Sequence, residues 1–299
     1  MRKIVQENHM GLGNMFGGFG DKLGGLGEKF GSLGAFRESS EEQPEGITIA
    51  CGCNQGLKRK NNEDNFYFDG KYMQSDNHGL DEILTARKKL DEDGLFVVFD
   101  GMGGMDYGEV ASYTAAKVTK EFLAVEENMN PCDITPSLME LCQRLNTSVY
   151  QAGADRGSDR VGSTLVGVYF HAGQVWQCNL GDSPAYLIRD GKMMLISKEH
   201  TDAWYVKEQG LNRKPWLTQY LGVDPQAMRI EPYIKSRYIK SGDCYLVCSD
   251  GVTDMVSEQE ICNILTGEKD PARCVQKLIE AALAGGGVDN ITAIVCKVR

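Results

Sequence analysis

Aspartates stand directly after apolar, strand-like runs at several places in the chain, each beside a glycine. The aspartates in this setting are Asp100, Asp182 and Asp250. Carboxylates at strand ends, where glycine lets other groups approach the backbone, are the ligands that Mg²⁺ and Mn²⁺ require. The pattern therefore indicates a carboxylate metal site rather than three unrelated turns.

Two further acidic pairs extend the pattern. Glu63-Asp64 opens a strand-like run, and Asp289-Asn290 precedes the last one. A single Asp-Gly pair is usually a turn, and we predict a hairpin turn at Asp190-Gly191. Coincidental turns are the alternative for the other pairs, but their repetition favours the metal site.

Other catalytic patterns are missing from the sequence. The DGMGG stretch at 100–104 is neither a Walker loop nor a GxGxxG motif, and no GxSxG elbow occurs. None of the four histidines stands beside an evident nucleophile. Hydrolysis by metal-activated water is the reaction that best matches the residues present.

The overall composition limits the possible partners and location. The 299 residues include 42 acidic and 32 basic side chains, a net charge of −10 that argues against nucleic-acid binding. There is no run of eighteen apolar residues and no signal-peptide core, so we expect a cytoplasmic protein. The ten cysteines lack zinc-ligand spacing and are expected to be reduced and mostly buried, with a zinc site as the weaker alternative.

The N-terminal region differs from the rest of the chain. Residues 10–36 are rich in glycine and carry apolar residues at alternating spacings of four and three, namely Leu12, Phe16, Phe19, Leu23, Leu26, Phe30 and Leu33. Each glycine inside a helix costs about 1 kcal/mol relative to alanine, so this stripe is expected to order only on a partner or a membrane surface. A flexible tail without a target is the alternative. We divide the chain into a low-complexity extension with a polar linker, 1–45, and one domain, 46–299.

The periodicity of residues 46–299 predicts both strands and helices. Strands are predicted at 47–53, 64–68, 95–100, 163–170, 174–180, 185–189, 193–196, 233–239, 243–249 and 291–298. Amphipathic helices are predicted at 107–127, 136–152, 257–266 and 271–284. The order of these elements favours mainly antiparallel sheets with helices on their outer faces.

Eight segments occur in an order that is specific to one family. They are GLKRKNNEDNF (56–66), LFVVFDGMGGMDYGEVAS (95–112), GSTLVGV (162–168), NLGDSPAYLIRDGK (179–192), KEHT (198–201), LTQYLGV (217–223), GDCYLVCSDGVTDMVS (242–257) and GGVDNITAIVCKV (286–298). Through them the chain resembles the metal-dependent serine/threonine protein phosphatases of the type 2C family, especially the bacterial branch.

The resemblance implies an α+β fold: a central β-sandwich of two mainly antiparallel sheets flanked by α-helices on both faces. It also implies two Mn²⁺ or Mg²⁺ ions at one end of the sandwich. Asp100 would bridge the two ions, and the Gly101 carbonyl and Glu63 would bind one of them. Asp250 and Asp289 would hold the other ion.

The resemblance also implies roles for residues around the two ions. Asp64 and Asn290 would orient metal-bound water, and Arg59 would bind the substrate phosphate. Asp182, together with Asp250, would hold a third and weaker ion. A solvated surface arginine is the alternative for Arg59, which lies in the basic run 58–60, but the NNED sequence that follows favours the phosphate role.

Two positions depart from the family pattern. Met102 stands where many eukaryotic relatives have a histidine, so a general acid from that position is excluded. The stretch 201–217, which corresponds to the family's flap, looks short and carries Trp204, Tyr205 and Trp216. Because the flap governs which phosphoprotein docks, the substrate range is expected to be particular to this chain. His200 is expected to be structural.

The function implied is hydrolysis of phosphoserine and phosphothreonine in proteins by a water or hydroxide that bridges the metals. Such an enzyme would act as a monomer and oppose a serine/threonine kinase. The alternative is a catalytically silent scaffold that binds phosphoproteins on the same fold. Retention of an acidic residue at every matching ligand position favours the enzyme.

Overall fold

The computed structural model describes residues 44–102, 107–125 and 129–299. The strands are β1 (Ile47–Asn54), β2 (Asp64–Phe68), β3 (Leu84–Lys88), β4 (Gly94–Asp100), β5 (Leu165–His171), β6 (Gln174–Leu180), β7 (Ala185–Arg189), β8 (Lys192–Leu195), β9 (Tyr233–Tyr238), β10 (Cys244–Cys248) and β11 (Ile291–Val298). The helices are α1 (Gly108–Leu123), α2 (Ile134–Ala154), α3 (Ala203–Glu208), α4 (Asp250–Thr253), α5 (Glu258–Gly267) and α6 (Pro271–Ala284).

The strands form two antiparallel sheets. One has the order β3-β1-β11-β10-β7-β8 and the other the order β2-β4-β5-β6-β9. Buried side chains from both sheets, among them Phe96, Val168, Tyr245 and Ile294, share one apolar cluster. The two sheets are thus the layers of a sandwich, and the α+β sandwich that was predicted is confirmed.

Helices cover the two outer faces of the sandwich. Helices α1 and α2 pack on the five-stranded sheet, and α5 and α6 pack on the six-stranded sheet. The sequence of strand β4 is continuously apolar because the strand is buried on both faces. Val97 and Phe99 face the helices, whereas Phe96 and Val98 face the other sheet. A strand that is buried on both faces has no position for a polar side chain.

Local sequence signals explain several element boundaries. Asp190 and Gly191 both have positive φ, 53° and 72°, and join β7 to β8 in the predicted hairpin. Helix α6 begins after Asp270, whose side chain accepts a hydrogen bond from the Ala272 N–H at 3.0 Å, with Pro271 in its first turn. The predicted strands and the four long helices are confirmed to within a few residues, except that α1 ends at Leu123 rather than at 127.

Three short elements, β3, α3 and α4, were not predicted from the sequence. Strand β3 is an edge strand whose residues are all at least partly exposed, so it lacks an apolar pattern. Helix α3 has six residues with one buried side chain, and α4 has four residues. Elements this short carry too few apolar residues to show a periodicity.

The prediction that the cysteines are reduced and mostly buried is confirmed. All ten cysteines are free thiols, eight of them buried. The apolar stripe of 10–36 lies outside the described residues, as does most of the predicted linker. Among the described helices, none combines the length and the apolar character needed to span a bilayer.

Candidate metal centre

The pairing of β2 with β4 brings the first acidic residues together. In this register Asp64 lies directly opposite Asp100. The Gly101 N–H donates a hydrogen bond to the Glu63 carbonyl at 3.0 Å, which continues the ladder beyond the strand ends. A Cβ at Gly101 would lie 2.5 Å from that carbonyl oxygen, so glycine is needed for this approach.

Hydroxyl groups tie Asp64 to the neighbouring sheet. Ser249, which follows β10, and Thr292 of β11 each donate a hydrogen bond of 2.7 Å to the Asp64 carboxylate. All three residues are buried. The two sheets are therefore locked to each other at the end of the sandwich where the acidic residues meet.

Helix α4 carries Asp250 at its first position, next to the turn with Asp289. A Cβ at Gly251 would lie only 1.9 Å from the Asn290 carbonyl oxygen, a backbone atom. Glycine at 251 lets α4 pack against this turn, and the pKa of Asp100 is influenced by both Asp250 and Asp289.

Asn290 holds the loop that carries Arg59 and Glu63. Its side-chain oxygen accepts a hydrogen bond from the Glu63 N–H at 2.8 Å. Its amide group donates to the carbonyls of Gln55 and Asn61, at 2.8 and 3.0 Å. Asn290 thus positions the loop 55–63, and its expected action on metal-bound water stays a prediction.

Asp182 approaches the same set from the turn between β6 and β7. Gly181 has φ 101° and packs against Thr164, whose hydroxyl is 2.7 Å from that of Ser183. His200 is buried, and its ring Nδ1 accepts a hydrogen bond from the Gly181 N–H at 3.3 Å. The backbone N–H of His200 donates to the Gly181 carbonyl. His200 is structural, as expected, because it fixes the turn that carries Asp182.

Two cationic side chains contact the acidic residues. Arg59 pairs with Asp289 at 2.6 Å and lies 3.8 Å from Glu63. Lys214, from the flap, pairs with Asp250 at 3.1 Å. Lys214 was not singled out from the sequence, since a single lysine in a loop carries no motif.

The pKa values of four acidic side chains, Glu63, Asp64, Asp100 and Asp182, are raised, chiefly because burial disfavours their charged forms. Burial raises the pKa of Asp64 to about 7 and that of Asp182 to about 6, and Asp250 adds to both shifts. The pKa of Asp100 is also raised, by burial and then by the negative charges around it. Burial raises the pKa of Glu63 although Arg59 opposes the shift. The cluster thus has more negative charge than its own cations offset.

The described side chains of the acidic cluster are not arranged as a metal coordination sphere. Within the described ranges, no group of three His, Cys, Asp or Glu side chains is arranged so that it could hold a metal ion. Asp289 and Asp250 are instead paired with cationic side chains, Asp289 with Arg59 at 2.6 Å and Asp250 with Lys214 at 3.1 Å.

Met102 packs beside the cluster without contributing a proton donor. Its N–H donates to the Gly162 carbonyl at 3.1 Å, and a Cβ at Gly162 would lie 1.9 Å from the Met102 methyl carbon. A thioether has no titratable proton, so the exclusion of a general acid at this position stands.

Comparison with known proteins assigns the chain to one family. Residues 73–276 match the family model described as protein phosphatase 2C. The chain belongs to this family. The match includes Asp100, Asp182 and Asp250, so much of the acidic cluster lies inside the 2C domain.

Curated relatives of the 2C family include two bacterial phosphatases. The serine/threonine protein phosphatase PstP of Mycobacterium tuberculosis is 29% identical over 260 residues, which are 84% of this chain and 45% of PstP. This chain therefore spans about half the length of that relative. The serine/threonine phosphatase stp of Listeria innocua is 29% identical over 241 residues, 75% of this chain and 90% of the relative.

Solved 2C structures have the same fold. PppA, described as a key regulatory component of the T6SS in Pseudomonas aeruginosa, matches with a TM-score of 0.69 and 27% identity, over 86% of this chain and 100% of that one. The catalytic domain of PstP in complex with two manganese ions matches with a TM-score of 0.66 and 28% identity, over 85% of this chain and 98% of the domain.

Proposed function

We propose that the chain is a metal-dependent protein phosphatase that hydrolyses phosphoserine and phosphothreonine. The observation that carries this proposal is the convergence of six carboxylates from separate elements at one end of the sandwich, with Arg59 beside them. They are Glu63, Asp64, Asp100, Asp182, Asp250 and Asp289. Its family membership and the manganese in the PstP catalytic domain support the same reaction class.

The charge of the cluster fits two divalent cations. The cluster has six carboxylates, and two cationic side chains, Arg59 and Lys214, contact three of them, Glu63, Asp289 and Asp250. Four negative charges are left over when all these groups are ionised. Two Mn²⁺ or Mg²⁺ ions would offset these four charges. All the donors are oxygen atoms, which both ions prefer.

The proposed ligands follow the family pattern. Asp100 would bind both ions, with the Gly101 carbonyl and Glu63 on one of them and Asp250 and Asp289 on the other. Asp182 would share a third, weaker ion with Asp250. When bound, the ions supply a water or hydroxide activated for attack on phosphorus and stabilise the charge on the phosphoryl oxygens.

The remaining residues of the site bind and orient. Arg59 is partly exposed and presents a planar fork that binds two phosphate oxygens once Asp289 releases it. Asn290 keeps Arg59 and Glu63 in place through the loop 55–63. Asp64, fixed by Ser249 and Thr292, is proposed to orient the attacking water. Met102 offers no proton to the leaving group, so the proton would come from metal-bound water or from another group.

The first test is turnover of a phosphothreonine peptide. We expect phosphate release with Mn²⁺ or Mg²⁺, none in excess chelator, and full recovery when metal is added back. Reagents that modify thiols should have little effect, because eight of the ten cysteines are buried and the proposed reaction uses no thiol. Phosphate release that persists in excess chelator would contradict the proposal.

The silent-scaffold alternative gives a different result. A scaffold would bind the phosphopeptide in the presence of metal without releasing phosphate. Binding and release can be measured on the same sample. Binding of the phosphopeptide without release of phosphate would contradict the enzyme and support the scaffold.

Residues 46–299 are proposed to be the catalytic domain and 1–45 an extension that contacts a partner or a membrane surface. Gly46 and Arg299 exchange backbone hydrogen bonds of 3.1 and 2.9 Å, which supports a domain that begins near residue 46. Deleting 1–45 is expected to leave peptide turnover within about twofold, because surface termini contribute little to a folded core. The same deletion should alter pull-down from lysate or co-sedimentation with vesicles. Loss of peptide turnover would show that the extension supports the catalytic domain.

The cellular setting follows from the proposed reaction. A phosphatase of serine and threonine acts against a kinase of the same residues, so we place the chain in kinase signalling. We also propose a cytoplasmic location and a monomeric state. Size-exclusion chromatography with light scattering measures the latter.

A further inference from the structure

The flap, residues 201–217, presents one lysine to the acidic cluster. The Lys214 ammonium lies 3.1 Å from the Asp250 carboxylate and 3.7 Å from that of Asp254. These negative charges, that of Asp250 first, together with Asp182, raise the pKa of Lys214, so it is charged at any working pH. The first contact reaches helix α4 at the proposed ligand Asp250, and the second reaches the residue that follows this helix.

Lys214 lies in the flap tip, residues 213–216, where its neighbours make contacts of their own. Arg213 pairs with Asp202 at 2.5 Å and lies over the Trp216 ring, 3.9 Å from its centre. Asp202 also accepts a hydrogen bond from the Trp216 N–H at 2.7 Å. Arg213 and Trp216, on either side of Lys214 and Pro215, are thus both joined to Asp202, and the ion pairs of Lys214 hold this segment to Asp250 and Asp254.

The Asp250 carboxylate has two competing partners, Lys214 and the proposed metal ion. As a proposed ligand it must turn towards a cation, yet its Oδ2 atom is now the partner of Lys214. A divalent ion at Asp250 would also repel the ammonium nearby, because like charges at a few ångströms raise each other's energy. The two cations cannot both be stabilised fully by this group.

We propose that Lys214 is a positioning residue that competes with a divalent cation for Asp250, so that metal binding releases the flap tip. The proposal rests on the proposed function for the identity of Asp250 as a ligand. By thermodynamic linkage, whatever holds the flap tip against α4 weakens the bound metal by the same factor. Release of the flap tip, close to the exposed Trp204 and Trp216, is therefore expected only in the metal-loaded protein.

The first measurement is Mn²⁺ binding to the full chain, followed through the spin-resonance signal of free Mn²⁺. In Lys214→Gln the weakest ion should bind about fivefold more tightly, because one positive charge beside it is removed. Lys214→Arg keeps the charge and should restore wild-type binding. Lys207→Gln, an exposed lysine on α3 of the same flap, is the matched control and should bind as the wild type does.

The second measurement is tryptophan fluorescence during titration with Mg²⁺. Two of the three tryptophans, Trp204 and Trp216, lie in the flap. The wild-type spectrum should shift as Mg²⁺ binds, whereas Lys214→Gln should start near the shifted spectrum and change little. A merely structural lysine would not link the emission to the metal in this way.

Several results would overturn the proposal. They are equal Mn²⁺ binding by Lys214→Gln and the wild type, an equal effect of Lys207→Gln, or a wild-type protein that binds no Mn²⁺. Neither measurement depends on turnover. A wild-type protein that binds Mn²⁺ and shows these shifts but hydrolyses no phosphopeptide would defeat the proposed function and leave the competition intact.

Discussion

Replacing Asp100 with asparagine is expected to lower metal-dependent phosphopeptide turnover by at least about 100-fold. The carboxylate is the proposed bridge between two cations, and a neutral amide cannot offset the charge of either. Asparagine keeps the size of the side chain and its place at the end of β4, opposite Asp64. The loss should therefore appear in turnover and metal affinity while the protein stays folded.

The same substitution should stabilise the metal-free protein. Asp100 lies among the charges of Asp64, Asp250, Asp182 and Asp289, and removing its own charge relieves their repulsion. If this relief is about 1 kcal/mol, the melting temperature in chelator rises by about 2–4 °C. Calorimetry in chelator measures the shift.

Asp69→Asn is the matched control for Asp100→Asn. Asp69 follows the other end of β2, pairs with Lys88 at 2.7 Å and has φ 49°, a conformation that asparagine adopts readily. Turnover and melting temperature should both stay near the wild-type values. An Asp100→Asn protein that keeps its turnover, or that melts at a lower temperature in chelator, would refute the assigned position of Asp100.

Replacing Arg189 with methionine is expected to lower the free energy of unfolding by about 3–5 kcal/mol. Arg189 of β7 donates two hydrogen bonds, of 2.7 and 2.6 Å, to Asp243, whose side chain is fully buried. Methionine fills much of the space but removes the guanidinium, and the donors that the described residues still offer this carboxylate include the Tyr245 hydroxyl and the Lys240 N–H. A buried charge without its counter-charge is costly.

Urea unfolding measures this loss, with Arg144→Met as its control. Arg144 also donates two hydrogen bonds to one carboxylate, that of Glu140, but both side chains are 51% exposed. An exposed pair of this kind contributes about 0.5 kcal/mol or less. Equal losses for the two variants would mean that burial does not determine how much the Arg189–Asp243 pair contributes to the free energy of unfolding.

The parts of the fold that were predicted from sequence are those with a local signal. Strand β4 is a continuous apolar run, α2 has a helical period over 21 residues, and the β7–β8 turn has an Asp-Gly pair. Strand β3 has no such signal, because an edge strand with both faces partly exposed tolerates polar residues. Helix α4 begins at the very Asp-Gly pair that was interpreted as a strand end.

The candidate site divides in a similar way. Asp100, Asp182 and Asp250 were visible in the sequence because each stands beside a glycine at the end of an apolar run. Their partners were not visible, since Arg59 and Asp289 are 230 residues apart and Lys214 reaches Asp250 across 36 residues. Asn290 was identified through its motif, but its role in holding the loop 55–63 depends on the three backbone groups that surround it. Contacts of this kind depend on the tertiary fold and not on local pattern.

The position of β11 within its sheet has a consequence for biosynthesis. This strand lies between β1 and β10, although it is the last strand in the sequence. A nascent chain that has not yet emerged from the ribosome up to residue 298 lacks the inner strand to which β1 pairs along its whole length. Such long-range pairing is slow to form, because the intervening chain must first be ordered. The six-stranded sheet, and with it the acidic cluster that includes Asp289, therefore assembles after translation of β11, and chains cut short before it expose unpaired strand edges to chaperones and proteases.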